Sequence, residues 1–208
     1  MKNLPCSVVL ILCLTLGVAD ALAQDRDADS AQGILDAAGV RGGLVVHLDC
    51  NDGKLTAALA PGKSFVVDGL DTDPAQVAAA RRYVQSLGIY GRVSVRHFNG
   101  DALPYADNLV NLLVAEDLGG LDLDEAMRVL APGGVALIGD DGKWARTVKP
   151  RPAEIDEWSH FLHDASNNAV ASDSLVGPPR RLQWTAGPPW CRSHEFISSF
   201  CAMVSAGG

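Results

Sequence analysis

The sequence predicts an α/β fold, a doubly wound parallel sheet followed by an irregular, Trp-rich C-terminal extension. Two observations predict it. Short apolar runs bounded by turn residues alternate with helix-period segments between residues 24 and 142, the pattern of repeated right-handed βαβ units. Composition then shifts: residues 24–142 hold 9 basic and 18 acidic residues and no Trp, whereas 143–208 hold 7 basic, 6 acidic, all four Trp and six of the eleven Pro. That shift marks a boundary near Gly142. The 208 residues suffice for one domain with a short appendage. With 48% hydrophobic and 20% charged residues, the composition excludes a wholly disordered chain, a collagen and a multi-span membrane protein. A net charge of −8 argues against a general nucleic-acid backbone binder, which concentrates Lys and Arg.

The elements follow in order. A short leading helix ends over Gly33 to Gly39. Leu44 to Leu48 is a buried strand closed by a turn cluster, and Leu55 to Ala60 is a brief helix. Phe65 to Leu70 is the second strand. Asp73-Pro74 opens a helix, with Asp as the N-cap, Pro at the first helical position and Gly88 as the stop. Val77, Ala80, Val84 and Leu87 recur at helical spacing and mark its buried face. Val93 to His97 alternates as the third strand, and Leu109 to Ala115 has the apolar density of a strand covered on both sides. Asp124 to Leu130 reads as a helix, Ala131-Pro132-Gly133-Gly134 as a turn, and Val135 to Ile138 as the fifth strand. The expected order is 3-2-1-4-5, with Lys143 to Val148 the best candidate for a further strand. Ligands on such sheets bind at the carboxyl ends of the strands, beside the switch point.

Residues 1–23 read as a signal peptide. Lys2 gives the positive start, Ser7 to Val18 is a mostly apolar run, and Ala21-Leu22-Ala23 is a small-x-small site that predicts cleavage before Gln24. The run is shorter than the roughly 20 residues of a transmembrane helix. The expectation is an exported protein, periplasmic or extracellular, with no membrane span after removal. Cys50, Cys191 and Cys201 then remain. Cys191 and Cys201 could pair in an oxidising compartment, leaving Cys50 free or buried.

The turn residues carry a family resemblance. Leu48-Asp49-Cys50-Asn51-Asp52-Gly53-Lys54-Leu55-Thr56 follows the first strand and Asp71 the second. Gly100-Asp101-Ala102-Leu103-Pro104-Tyr105 follows the third, and Arg128 to Gly134 precedes the fifth. This ordered set, over about residues 30–140, resembles the class I S-adenosylmethionine-dependent methyltransferases, which have a Rossmann-like sheet. The resemblance implies a glycine-rich turn against the methionine part of the cofactor, Asp71 on the ribose hydroxyls and Asp101 at the adenine amino group. Asp49, Asn51 and Gly53 would surround the methionyl group. Methyl transfer is a direct displacement, so positioning dominates its rate.

The chain departs from the family turn, acidic-x-Gly-x-Gly-x-Gly. His47 stands at the acidic position, Asp49 and Asn51 at the first two Gly positions, and only Gly53 survives. A register shifted by two makes Asp49 the acidic residue and loses Gly53 as the last glycine. Asn and Asp tolerate the left-handed region, so the turn can persist. Their side chains would occupy cofactor space, and the Asp49 carboxylate would face the cofactor's own. S-adenosylmethionine is also a cytoplasmic metabolite. The expectation is therefore a weakened cofactor site and a degenerate, non-catalytic accessory or binding module, with an active methyltransferase of unknown acceptor as the alternative. Glu116-Asp117 follow the fourth strand, where substrate chemistry often occurs in this fold, but no catalytic residue is assignable.

Residues 143–208 read as a linker helix and the truncated start of a propeller-like region. Pro150 to Asp164 begins with Pro and acids, as a helix does, which would put His160 and His163 on one face near Glu157 and Asp164. Such a cluster could hold a metal or be a solvated, capping His pair, and no metal site is assigned. The stretch from Trp158 to Trp184, with the closing Met203 to Gly208, resembles the lead-in of exported pyrroloquinoline-quinone-like β-propeller proteins. That resemblance implies a downstream propeller region or a partner protein.

Overall fold

The computed structural model describes residues 27–139 and 143–175. Two compact units divide at Lys149/Pro150. The expected signal peptide, the Cys191–Cys201 pair, Trp184 and Trp190, and the propeller-like strand lie outside the described residues.

The first unit is a six-stranded sheet of order β3-β2-β1-β4-β5-β6. Its strands are β1 (Gly43–Leu48), β2 (Phe65–Asp71), β3 (Val93–His97), β4 (Val110–Ala115), β5 (Leu130–Ile138) and β6 (Ala145–Val148). The first five run parallel, and β6 is antiparallel to β5. The helices are α1 (27–38), α2 (Lys54–Ala58), α3 (Pro74–Ser86) and α4 (Leu123–Val129). The predicted order holds, and the candidate further strand forms β6. Because β6 joins the sheet, the unit runs to Lys149, past the compositional boundary at Gly142.

Successive strand residues face opposite ways, and the sheet is covered on both sides. Val45, Val67, Val93, Val95, Leu112 and Leu137 belong to one core cluster with Ile34 and Leu35 of α1 and Val77, Ala80 and Val84 of α3. Val46, Leu48, Leu70, Leu113 and Ala136 belong to the other, with Ala126 and Val129 of α4. Burial of β1 and β4 on both faces explains their unbroken apolar runs.

α3 begins as expected. The Asp73 carboxylate accepts from the Ala75 amide at 2.8 Å, Pro74 opens the helix, and Gly88 lies beyond it at φ 68°. Leu87 departs from the predicted buried face, being 43% exposed at the helix C-cap.

Two expectations are corrected. Residues 131–134 are not a separate turn but an excursion within β5, whose register with β4 passes from Val110↔Leu130 to Leu112↔Val135. Gly134 makes the close passage, since a Cβ there would stand 2.8 Å from the carbonyl oxygens of Ala131 and Val110. The linker helix expected from Pro150 is absent: residues 150–175 form turns and irregular chain. Side chains there capture the backbone groups a helix needs. The Asp156 carboxylate accepts from the amides of Glu157 and Ser172, and Asp173 accepts from the Asp156 amide. His163 sits at φ 67°, outside a right-handed helix.

Candidate functional site: a crevice at the carboxyl ends of the strands

The site grows from the turn between β1 and α2. Asp49, Asn51 and Gly53 have φ of 53°, 46° and 80°. Left-handed backbone therefore recurs at every second residue, at the positions where the resembled family carries glycine. Asn and Asp adopt this region more readily than other side chains because a short polar group can bond locally. Asn51 does so, its amide donating to the Asp49 carbonyl at 2.7 Å. Gly53 answers to packing as well as conformation: a Cβ there would stand 2.8 Å from the Ala80 Cβ on α3.

Asp71 ends β2 beside this turn and is 5% exposed. One carboxylate oxygen accepts from the Asn51 amide at 3.0 Å, the other from the Asp73 amide at 2.8 Å. The structure thus joins Asp49, Asn51, Gly53 and Asp71 in one neighbourhood. Partial desolvation, then the Asp71 and Asp117 carboxylates, raise the Asp49 carboxyl above its ordinary range. Asp101 stands apart from this neighbourhood. It is exposed and lines an open depression with Gly120, Leu121, Asp122, Glu125 and Arg128. No residue from 49 to 71 lines that depression. Glu116 and Asp117 follow β4 and are exposed, with Asp117 accepting from the Gly119 amide.

Beneath the turn lies His47, 6% exposed, with its Nδ1 2.8 Å from the Thr56 hydroxyl of α2. Burial lowers its pKa to about 4, against a smaller opposing pull from Asp71. The position that is acidic in the family pattern is here a neutral imidazole near neutral pH. Cys50, in the same turn, is a free buried thiol pushed up to about 12 by burial, then by Asp71. Its nucleophilic thiolate form is therefore suppressed.

In the second unit His160 and His163 do not share a helix face. They meet across an isolated antiparallel bridge, the His160 amide donating to the His163 carbonyl at 3.1 Å. The His163 Nε2 pairs with Asp156 at 2.7 Å, while the His160 Nδ1 lies 2.9 Å from the Ser159 hydroxyl. Glu157 pairs with Arg151 at 2.6 Å. Among the described residues, no group of three or more His, Cys, Asp or Glu is arranged to hold a metal.

One cluster escaped the reading of motifs. Asp68 of β2 is buried with Arg96, Ser94 and Tyr105 as partners. A signal for it existed: a carboxylate inside the apolar run Phe65 to Leu70 demands a partner.

Residues 45–134 match the family described as a methyltransferase domain. That stretch resembles a methyltransferase domain. A similar curated protein is the ubiquinone/menaquinone biosynthesis C-methyltransferase UbiE of Escherichia coli (strain K12 / DH10B), 28% identical over 149 residues, which are 67% of this chain and 59% of that protein. The chain thus spans less than two thirds of the length of this relative. Among solved structures, a putative S-adenosyl-L-methionine-dependent methyltransferase from Methanococcus maripaludis aligns at TM-score 0.49 and 22% identity, over 54% of each chain. Geranyl diphosphate C-methyltransferase from Streptomyces coelicolor A3(2) aligns at TM-score 0.48 and 23% identity, over 53% of this chain and 44% of that one. The methyltransferase-like match runs from Val45 in β1 to Gly134 in β5 and so includes the turn, Asp71 and Asp101.

Proposed function

We propose that this methyltransferase-like domain is degenerate, an exported, non-catalytic accessory or binding module of a propeller-type protein. The observation that carries the reading is the pair Asp49 and Asn51 in left-handed backbone beside Asp71. The turn keeps the backbone path that glycines would take, yet places two side chains where the family leaves none. The residues present fit the nucleoside end of S-adenosylmethionine better than its amino-acid end. Asp71 retains lone pairs for ribose hydroxyls, since each of its oxygens accepts only one backbone bond. At the turn, Asp49 adds a carboxylate to a neighbourhood that already holds Asp71 and Asp117. Like charges in a partly desolvated cleft cost a few kcal/mol, about 100-fold or more in affinity.

Export rests on the apolar run and small-x-small site of residues 1–23, and the propeller association on the residues after Trp158. A second reading, an active class I enzyme acting on an unknown acceptor, is favoured by the intact left-handed turn and by the family match over 45–134. Calorimetric titration of the full chain with S-adenosylmethionine separates them. The degenerate reading expects dissociation weaker than millimolar. Micromolar binding, with methyl transfer to any acceptor, supports the enzyme instead.

A further inference from the structure

We infer that Asp68, Arg96 and Tyr105 form a polar latch that positions the loop carrying Asp101 at the crevice. The inference rests on the crevice being the binding site proposed above. Between β3 and β4 the chain, residues 98–109, contains no helix. The crossover must therefore be held by side chains rather than by a packed helical stripe.

Two sets of side chains hold it. Asp68, 6% exposed, accepts from the Ser94 hydroxyl at 3.0 Å on one oxygen. Its other oxygen accepts from the Arg96 Nε at 2.8 Å, from the Arg96 Nη2, and from the Tyr105 hydroxyl at 2.8 Å. The Arg96 guanidinium also lies over the Tyr105 ring, 5.3 Å from its centroid. On the α4 side, Arg128 donates to the carbonyls of Leu103 at 3.1 Å and Tyr105 at 2.9 Å, and Glu125 accepts from the Leu103 amide at 2.7 Å. Phe98 and Leu103 are buried beneath the loop. The anchors fall at 98, 103 and 105. Asp101 and Ala102 stand exposed between them.

The loop starts at the carboxyl edge of the sheet, where the Phe98 amide donates to the Asp71 carbonyl at 3.1 Å. Its feet are therefore fixed relative to Asp71 and α4, and its exposed stretch presents the Asp101 carboxylate. Burial and Asp68 raise the Tyr105 pKa well above the usual phenol value, so Tyr105 stays the donor. Asp68 acts through the loop and is a positioning residue, not a catalytic one.

Tyr105→Phe tests the latch, because it removes one hydroxyl and keeps the ring beneath Arg96. Site-resolved amide exchange on the full chain should accelerate about tenfold at residues 99–105, with β1 and β4 amides at wild-type protection. In an Asp49→Gly, Asn51→Gly background, the same change should weaken adenosine binding several-fold. Unchanged exchange in the loop, or acceleration shared equally by β1 and β4, overturns the latch. Unchanged adenosine affinity despite a loosened loop overturns its positioning role. Absence of adenosine binding in the background protein overturns the crevice reading instead, and the exchange result then decides the latch alone.

Discussion

His47 shows how one buried side chain sets a pH dependence. Its imidazole is held neutral inside the fold, with a pKa of about 4 against the ordinary 6.5. The unfolded chain therefore binds the extra proton first as pH falls. Stability is complete above about pH 6.5 and declines as pH falls toward 4, by about 3 kcal/mol if no other group intervenes. His47→Gln cannot titrate there. Chemical denaturation between pH 7 and 4.5 should show a flatter profile for the variant than for the wild type. The sequence identified His47 as the substitute for an acidic residue, but not its Thr56 partner, because a side-chain bond across nine residues depends on how α2 packs. Asp49 and Asn51 were legible together, since both residue types and their spacing from Gly53 point to a left-handed turn. Asp68 was not, because its partners come from β3 and the following loop, and only the sheet register that sets Ser94 opposite it brings them near.

The β1–α2 turn and α3 hold each other in place. Gly53→Ala combines a left-handed φ of 80° with a Cβ 2.8 Å from the Ala80 Cβ. Strain and overpacking together should cost about 2–4 kcal/mol, read as a lowered urea midpoint. Asp73→Ala removes the N-cap of α3 and should cost about 1 kcal/mol by the same measurement. α3 was readable because cap, proline, periodicity and stop agree at Asp73, Pro74, Val77 to Val84 and Gly88. The helix expected from Pro150 failed for a local reason: Asp156 and Asp173 spend their carboxylates on backbone amides in turns. Proline and acids alone cannot distinguish a helix start from an irregular chain tied by side chains. The excursion at 131–134 failed differently, since its glycines signal a turn while β4 continues to pair on either side.

The topology was legible because β1 and β4 are apolar on both faces and the connections follow a right-handed rule. The role of the domain is harder to read, because it turns on a few atoms at the switch point. If residues 1–23 direct export, mass spectrometry of the secreted chain should find Gln24 at its N-terminus, and retention of residues 1–23 would contradict export. The degenerate reading turns on the side chains of Asp49 and Asn51 beside Asp71. Removing both side chains with Asp49→Gly and Asn51→Gly spares the backbone path, since glycine accepts φ of 53° and 46° without strain. The most direct measurement is the S-adenosylmethionine affinity of that double variant beside the wild type under identical conditions. Binding should be at least about tenfold tighter in the variant, with the greater share from Asp49→Gly because it removes a like charge. Equal affinity in the two proteins, or tight binding by the wild type, would contradict the degenerate reading.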